Sequence, residues 1–260
     1  ANGSPSLVGG SEGLRALFAV LPIVDQQAYD AEAGWIGHYG RAGIQSYDRF
    51  VAINRPIRSS LISRFGVEAR RIDLIHHAID ADRFNASVAA RVRGDPALDC
   101  HGLAGSSRLF AFVGRLTPQK RPLELLELVR RSQASAAEDR FLMVGRGELA
   151  GECDAFVRSH ALTRLRRLSQ VEDMSRVYPF VDGLVLLSRY EGLPLVAIEA
   201  LAMGVPVFVT DVGELRWLVE EAGGAGRILD VEESPAARWK QFLLFRAELD
   251  DRTDAARRAA

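Results

Sequence analysis

The sequence predicts an α/β fold built on a doubly wound parallel sheet, and two observations lead there. Runs such as LFAFVG (Leu109 to Gly114), FLMVG (Phe141 to Gly145) and GLVLLS (Gly183 to Ser188) are apolar throughout, as strands covered on both faces are. They alternate with stretches that carry apolar residues at helical spacing, such as PLELLELVRR (Pro122 to Arg131), the pattern of helices crossing over one sheet.

Taken in order, ALFAVLPIVD and RFVAIN read as strands, Arg55 to Phe65 as a helix and RIDLIHHAI (Arg71 to Ile79) as a further strand. The stretch Ala86 to Ser107 is rich in Ala, Gly and Arg with weak periodicity, and reads as a connection between domains. After the strand at Leu109, Pro122 suits the first turn of the next helix. A helix over Glu148 to Ala161 follows the strand at Phe141, then a weak strand LRRLS (Leu165 to Ser169) and a helix near Met174 to Phe180. PLVAIEALAMG (Pro194 to Gly204) is a helix, VPVFVT (Val205 to Thr210) a strand, GELRWLVEE (Gly213 to Glu221) a helix and GRILD (Gly226 to Asp230) a strand. From Ser234 the pattern is helical, ending in a polar, frayed DDRTDAARRAA.

Composition narrows the function. The 260 residues suffice for a large core, 48% are hydrophobic and the net charge is −1, so neither nucleic-acid binding nor a disordered acidic chain is indicated. Cys100 and Cys153 lie far apart without a CxxC partner, and read as structural or surface thiols. The longest apolar run, Ala16 to Val24, is far short of the roughly 20 residues a membrane span needs. The chain opens on Ala1 with no signal-peptide pattern, and the expectation is a piece of a longer protein.

In a doubly wound sheet ligands bind beyond the carboxyl ends of the strands, so those loops carry the search. After the first of these strands comes GRLTPQKRP: Gly114 lets a ligand approach the backbone, and Arg115 and Lys120 precede a helix start, where two cations can neutralise a diphosphate. A solvated basic loop explains the same residues. After the second comes Gly145-Arg146-Gly147-Glu148, a βα turn that does not complete GxGxxG. The richest stretch is SRYEGLPLVAIEALAMGVPV, Ser188 to Val207. Pro194 is placed as first helical residue, and the amides near Leu193, Leu195 and Val196 form an N-terminus suited to phosphate. Glu199 sits among apolar neighbours, either on one solvated face or accepting from ligand hydroxyls; with Glu191 in the loop, the two carboxylates suit a polyol.

The segment EGLPLVAIEALAMGVPV strongly resembles the E-x7-E segment of the family 4 (group 1) retaining glycosyltransferases, and GRLxxxK resembles that family's diphosphate loop. DRFVAINRPIRSSLISRFGVEARRIDLIHHAIDADRF resembles the stretch that joins its two domains, so the likeness runs from about Tyr47 to Asp230. The resemblance implies a GT-B fold, two Rossmann-like domains with the donor held mainly by the second. It implies that Arg115 and Lys120 bind the donor diphosphate, that Glu191 contacts hydroxyls of the transferred sugar and Glu199 those of the ribose, and that the backbone of Gly114, Gly192, Leu193, Pro194 and Leu195 lines sugar and phosphate. Gln170 and Val171 would lie by the base, with Gly145 and Arg146 lining the nucleotide pocket. Glu191, Arg115 and Lys120 would carry catalysis. Stabilising the charge on a nucleoside diphosphate leaving group is the main need, and two cations with a helix N-terminus meet it without an obligatory metal or other cofactor. The partners implied are a nucleotide-sugar donor and a carbohydrate or lipid-linked acceptor, in the cytoplasm with peripheral contact at the inner membrane face left open.

Departures accompany the likeness. The family's usual Asn-Gly pair is His77-Ala78 here, so the turn between domains is expected to differ; His76 and His77 read first as structural. Residues 1–85 are expected to form a partial N-terminal, acceptor-side Rossmann-like domain with the joining segment, an incomplete first domain. Residues 86–107 then form a connection, 108–232 the donor-binding domain and 233–260 a helical tail. His38, before the joining segment, reads as a surface residue. The alternative function is a nucleotide-sugar-binding module without turnover. A phosphorylase would need a lysine-bound pyridoxal group, and lysine is scarce, with Lys120 and Lys240 the obvious ones; acid/base residues for an epimerase are not assignable.

Overall fold

The computed structural model describes residues 24–27, 47–94, 99, 103–105, 107–135 and 137–259. His38, Cys100 and most of the run Ala16 to Val24 fall outside the described residues. The chain forms two compact units: Ala1–Ala78 with Tyr190–Pro194 and Val212–Glu214, and Ile79–Arg189 with Leu195–Asp211 and Leu215–Ala260.

The first unit holds a parallel three-stranded sheet in the order β1 (Val24–Gln27), β2 (Arg49–Ala52), β3 (Ile72–Leu74). Between β2 and β3 runs helix α1 (Arg55–Ser63). Its start is set by Asn54, whose side chain accepts from the Ile57 amide at 2.8 Å, and by Pro56 in the first turn. Ile57 and Leu61, one turn apart, bury that helix's inner face. The strand expected over Arg71 to Ile79 is therefore real but ends at Leu74.

In the second unit α2 (Ala86–Gly94) precedes a six-stranded parallel sheet. Its strands are β4 (Leu109–Val113), β5 (Arg140–Val144), β6 (Leu165–Leu168), β7 (Gly183–Leu186), β8 (Val207–Thr210) and β9 (Gly226–Leu229), in the order β6-β5-β4-β7-β8-β9. Crossovers use α3 (Pro122–Gln133), α4 (Ala150–Ser159), α5 (Leu195–Ala202) and α6 (Leu215–Glu221), and α7 (Pro235–Ala259) closes the chain. Every residue of β4, β7 and β8 is buried, which is why those strands read as unbroken apolar runs. The order is that of a Rossmann fold, and the GT-B class expected from the sequence is the observed one.

Two expectations are corrected. Residues 86–94 are helical, not an irregular connection: the Asn85 side chain caps α2 by accepting from the Val88 amide at 2.9 Å, and Ala89 and Val92 are buried. Met174 to Phe180 is not one helix but two 3-10 turns, Met174–Arg176 and Tyr178–Phe180. Pro179 lacks the amide an α-helix needs there. The last helix, expected as a helical tail, is packed: Phe242, Phe245 and Leu249 enter the core. Phe242 packs edge-on to Phe110 at 4.8 Å between centroids and Phe245 lies 5.5 Å from Phe208, each buried ring contributing roughly 1.5–3 kcal/mol. Arg246 Nε also reaches buried Asp139 at 2.9 Å. The compact units divide between Ala78 and Ile79. The described non-glycine residues with positive φ are Arg121 and Ala161, so Ala78 does not take a left-handed turn.

Candidate functional site

From β4 the sheet of the second unit grows outward through β5 and β6 on one side and β7, β8 and β9 on the other. The crossovers therefore reverse between β4 and β7, and the carboxyl ends of these strands mark the place where doubly wound folds bind ligands. Gly114, Arg115 and Lys120 follow β4; Gly145 and Arg146 follow β5; Gln170 and Val171 follow β6, two strands or about 10 Å from β4.

The first two loops are joined by their backbones. The Gly114 amide donates to Val144 O at 3.0 Å, Leu116 to Arg146 O at 2.8 Å, and Leu149 to Leu116 O at 2.9 Å. Gly145, at φ +153°, passes so close that a Cβ there would fall 1.8 Å from Gly114 O. No other residue fits that crossing. Within the β4 loop, Lys120 N donates to Thr117 O at 3.0 Å and the Arg115 guanidinium to Gln119 Oε1 at 3.2 Å. The Gln119 carbonyl accepts from Arg189 N at 2.8 Å, tying this loop to the segment after β7. Arg115 is exposed and Lys120 half-buried, so the loop is a fixed platform carrying two cations.

Helix α5 begins at Leu195, one residue later than expected, with Pro194 immediately before it. Glu199 lies within α5 and is half-buried. Its Oε2 accepts from the Tyr178 hydroxyl at 3.0 Å, and that hydroxyl also lies 3.2 Å from Val196 O. Burial pushes the Glu199 carboxyl above the usual range, against the Tyr178 hydrogen bond and the attraction of Arg83. Tyr178, almost fully buried, is itself shifted up by burial and then by Glu199. Arg83 is held by Asp173 at 2.9 Å. The sequence reading missed Tyr178 and Arg83; Tyr178 falls in the stretch misread as one helix.

Glu191, Gly192, Leu193 and Pro194 belong to the first unit, so the E-x7-E segment begins in one unit and ends in the other. All four are buried, Glu191 with 4% of its surface exposed. Around them stands a second cluster the sequence reading did not assign. Glu214, also 4% exposed, accepts at Oε1 from the Arg55 amide at 2.9 Å and the Arg55 guanidinium at 3.2 Å. His76 Nε2 sits 3.0 Å from Glu214 Oε2, and His77 Nδ1 is 3.0 Å from Leu193 O. The carboxylate at the start of α1 complements the helix dipole, for α1 has no acidic residue in its own first turn. The structural reading of His76 and His77 is thus met by named partners.

Cys153 is a free, fully buried thiol whose pKa burial raises, which makes it inert. Among the described residues no helix is long and apolar enough to cross a membrane, and no group of three or more His, Cys, Asp or Glu side chains is placed to hold a metal.

Comparison with known proteins agrees with this geometry. A Nocardia farcinica D-inositol 3-phosphate glycosyltransferase is 33% identical over 212 residues, covering 77% of this chain and 45% of its own. An Escherichia coli UDP-Gal:alpha-D-GlcNAc-diphosphoundecaprenol alpha-1,3-galactosyltransferase is 27% identical over 176 residues, covering 66% and 45%. The chain thus spans less than half the length of these curated relatives. Among solved structures, Anabaena HepE in complex with UDP-glucose superposes with a TM-score of 0.70 at 17% identity, covering 95% of this chain and 68% of that one. Residues 107–242, just over half of the chain, match the family described as Glycosyl transferases group 1, and the chain belongs to that family.

Proposed function

We propose that this chain supplies the donor-binding part of a retaining glycosyltransferase, which moves a glycosyl group from a nucleoside diphosphate sugar to a carbohydrate or lipid-linked acceptor. The observation that carries the reading is the pair of cations on a rigid loop at the reversal of strand order, exposed Arg115 and half-buried Lys120 after β4. Arg115 brings a fork of donors and Lys120 a point charge to the diphosphate. The N-terminus of α5 adds partial positive charge. As the bond from the anomeric carbon to the diphosphate oxygen breaks, these groups hold the developing negative charge, so no metal is required. Glu199, with one oxygen on Tyr178, offers the other to ribose hydroxyls; Gly114, Gly145 and Arg146 line the nucleotide, and Gln170 and Val171 flank the base. Glu191, with the backbone of Gly192, Leu193 and Pro194, recognises the transferred sugar.

Calorimetric titration with UDP, GDP and ADP in the presence of a chelator tests this. One nucleotide is expected to bind, weakened at least about tenfold by Arg115→Ala and by Glu199→Ala, each of which removes a charged hydrogen-bond partner. Binding of none of the three by folded protein, or dependence on a divalent cation, overturns the reading. The HepE complex with UDP-glucose favours UDP among the three.

A further inference from the structure

Glu214 lies outside every motif that pointed to the donor, yet its surroundings bear on the loop Glu191–Leu193. Gly213 sits at φ +61°, and a Cβ there would fall 2.3 Å from Gly192 O and 2.5 Å from Glu191 O. The next amide, Glu214 N, donates to Gly192 O at 3.2 Å. The Leu193 carbonyl, one peptide further on, lies 3.0 Å from His77 Nδ1. A carbonyl only accepts, so that nitrogen carries a proton. Two successive carbonyls of the loop are thus pinned by residues from distant parts of the chain. The backbone has no cis peptide, and in a trans peptide C=O and N–H point opposite ways. Fixing Gly192 C=O on Glu214 N therefore aims the Leu193 N–H away from Glu214.

What keeps Glu214 N in place is its own side chain. The buried carboxylate is gripped by the Arg55 amide and guanidinium on one oxygen, with His76 Nε2 at 3.0 Å from the other. We infer that Glu214 is a positioning residue for donor-sugar recognition: clamped by Arg55 and His76, it orients the Gly192–Leu193 peptide so that the Leu193 amide and Glu191 meet the sugar, with His77 fixing the next peptide. This rests on the donor-binding reading above. It predicts that the latch matters more to the sugar than to the nucleotide, because Arg115, Lys120 and Glu199, the side chains proposed for the diphosphate and ribose, are not among the residues it holds.

The test uses this chain with Glu214→Ala, Glu214→Gln and His77→Ala. UDP-, GDP- and ADP-glucose and the matching diphosphates are titrated, and amide hydrogen exchange is followed in the peptide covering residues 190–194. Glu214→Ala and His77→Ala are expected to speed exchange in that peptide and to weaken the sugar nucleotide about tenfold relative to the bare nucleotide. Glu214→Gln, which keeps an acceptor for the Arg55 amide, restores most of both. An equal loss for sugar nucleotide and nucleotide, or no change in exchange, overturns the inference. If wild-type protein binds no nucleotide, the donor-binding reading falls, while the exchange rates still decide whether Glu214 holds the loop.

Discussion

Two carboxylates, one within helix α5 and one just before α6, are held in opposite ways. Glu214 is buried among a guanidinium, a helix amide and an imidazole. Glu199 is half-buried and meets one neutral donor, the Tyr178 hydroxyl. A carboxylate held by the chain's own guanidinium and backbone amide is occupied by the fold. One whose carboxyl is pushed up by burial, against a phenol and the attraction of Arg83, fits the ligand-binding role proposed for it. The contrast separates two acidic residues that look alike in the sequence.

The largest effect expected follows from the better-partnered side. Glu214→Ala should lower stability by about 2–3 kcal/mol, since it strips Arg55 and His76 of their partner and removes the anion from the start of α1. Glu199→Ala should cost less than about 1 kcal/mol, because losing the Tyr178 hydrogen bond is offset by removing a half-buried charge, while abolishing most nucleotide affinity. Urea denaturation of both variants measures the difference. Equal losses would erase the distinction between a carboxylate held by the fold and one kept for a ligand.

A smaller change sharpens the Glu199 side. Tyr178→Phe removes the hydroxyl that donates to Glu199 Oε2 and lies near Val196 O, at a cost of about 1 kcal/mol. Because that hydrogen bond lowers the Glu199 pKa against burial, its loss should move the carboxyl further up, seen by NMR titration of the side-chain carboxyl. A downward movement would mean that the hydroxyl serves Val196 O alone.

The sequence made one of these two acids visible and hid the other, for a physical reason. Glu199 stands out as a carboxylate within an apolar helix, a local anomaly that needs no partner to be noticed. Glu214 is recognisable only through Arg55, which is 159 positions away, and no periodicity links residues across such a separation. The sheet was legible for the same local reason as Glu199: β4, β7 and β8 are buried along their whole length and so are apolar along their whole length. Helix α2 was missed because two buried positions, Ala89 and Val92, leave little pattern, although Asn85 at its start was a capping signal. The last helix was seen, but its place was not: Phe242, Phe245 and Leu249 already stood at helical spacing in a stretch read as a tail.

The finest test of the comparison is a pH dependence whose sign is fixed in advance. The folded-state pKa of Glu199 lies above its unfolded value, burial being the larger cause. The folded chain therefore binds this proton more tightly than the unfolded chain, and the ionised side chain opposes folding at neutral pH. That cost is relieved as pH falls through the folded pKa toward the ordinary carboxylate range. Glu199→Gln keeps an acceptor for Tyr178 and carries no charge to desolvate, so it should be more stable than wild type at pH 7. The gap should narrow steadily as pH falls through the raised folded pKa, where wild type gains its proton. Urea denaturation of the two proteins across that range reads the gap directly. A gap that stays constant, or widens on acidification, would mean that the Glu199 carboxylate is stabilised by its surroundings much as Glu214 is, and the assignment of the two acids to different tasks would fail with it.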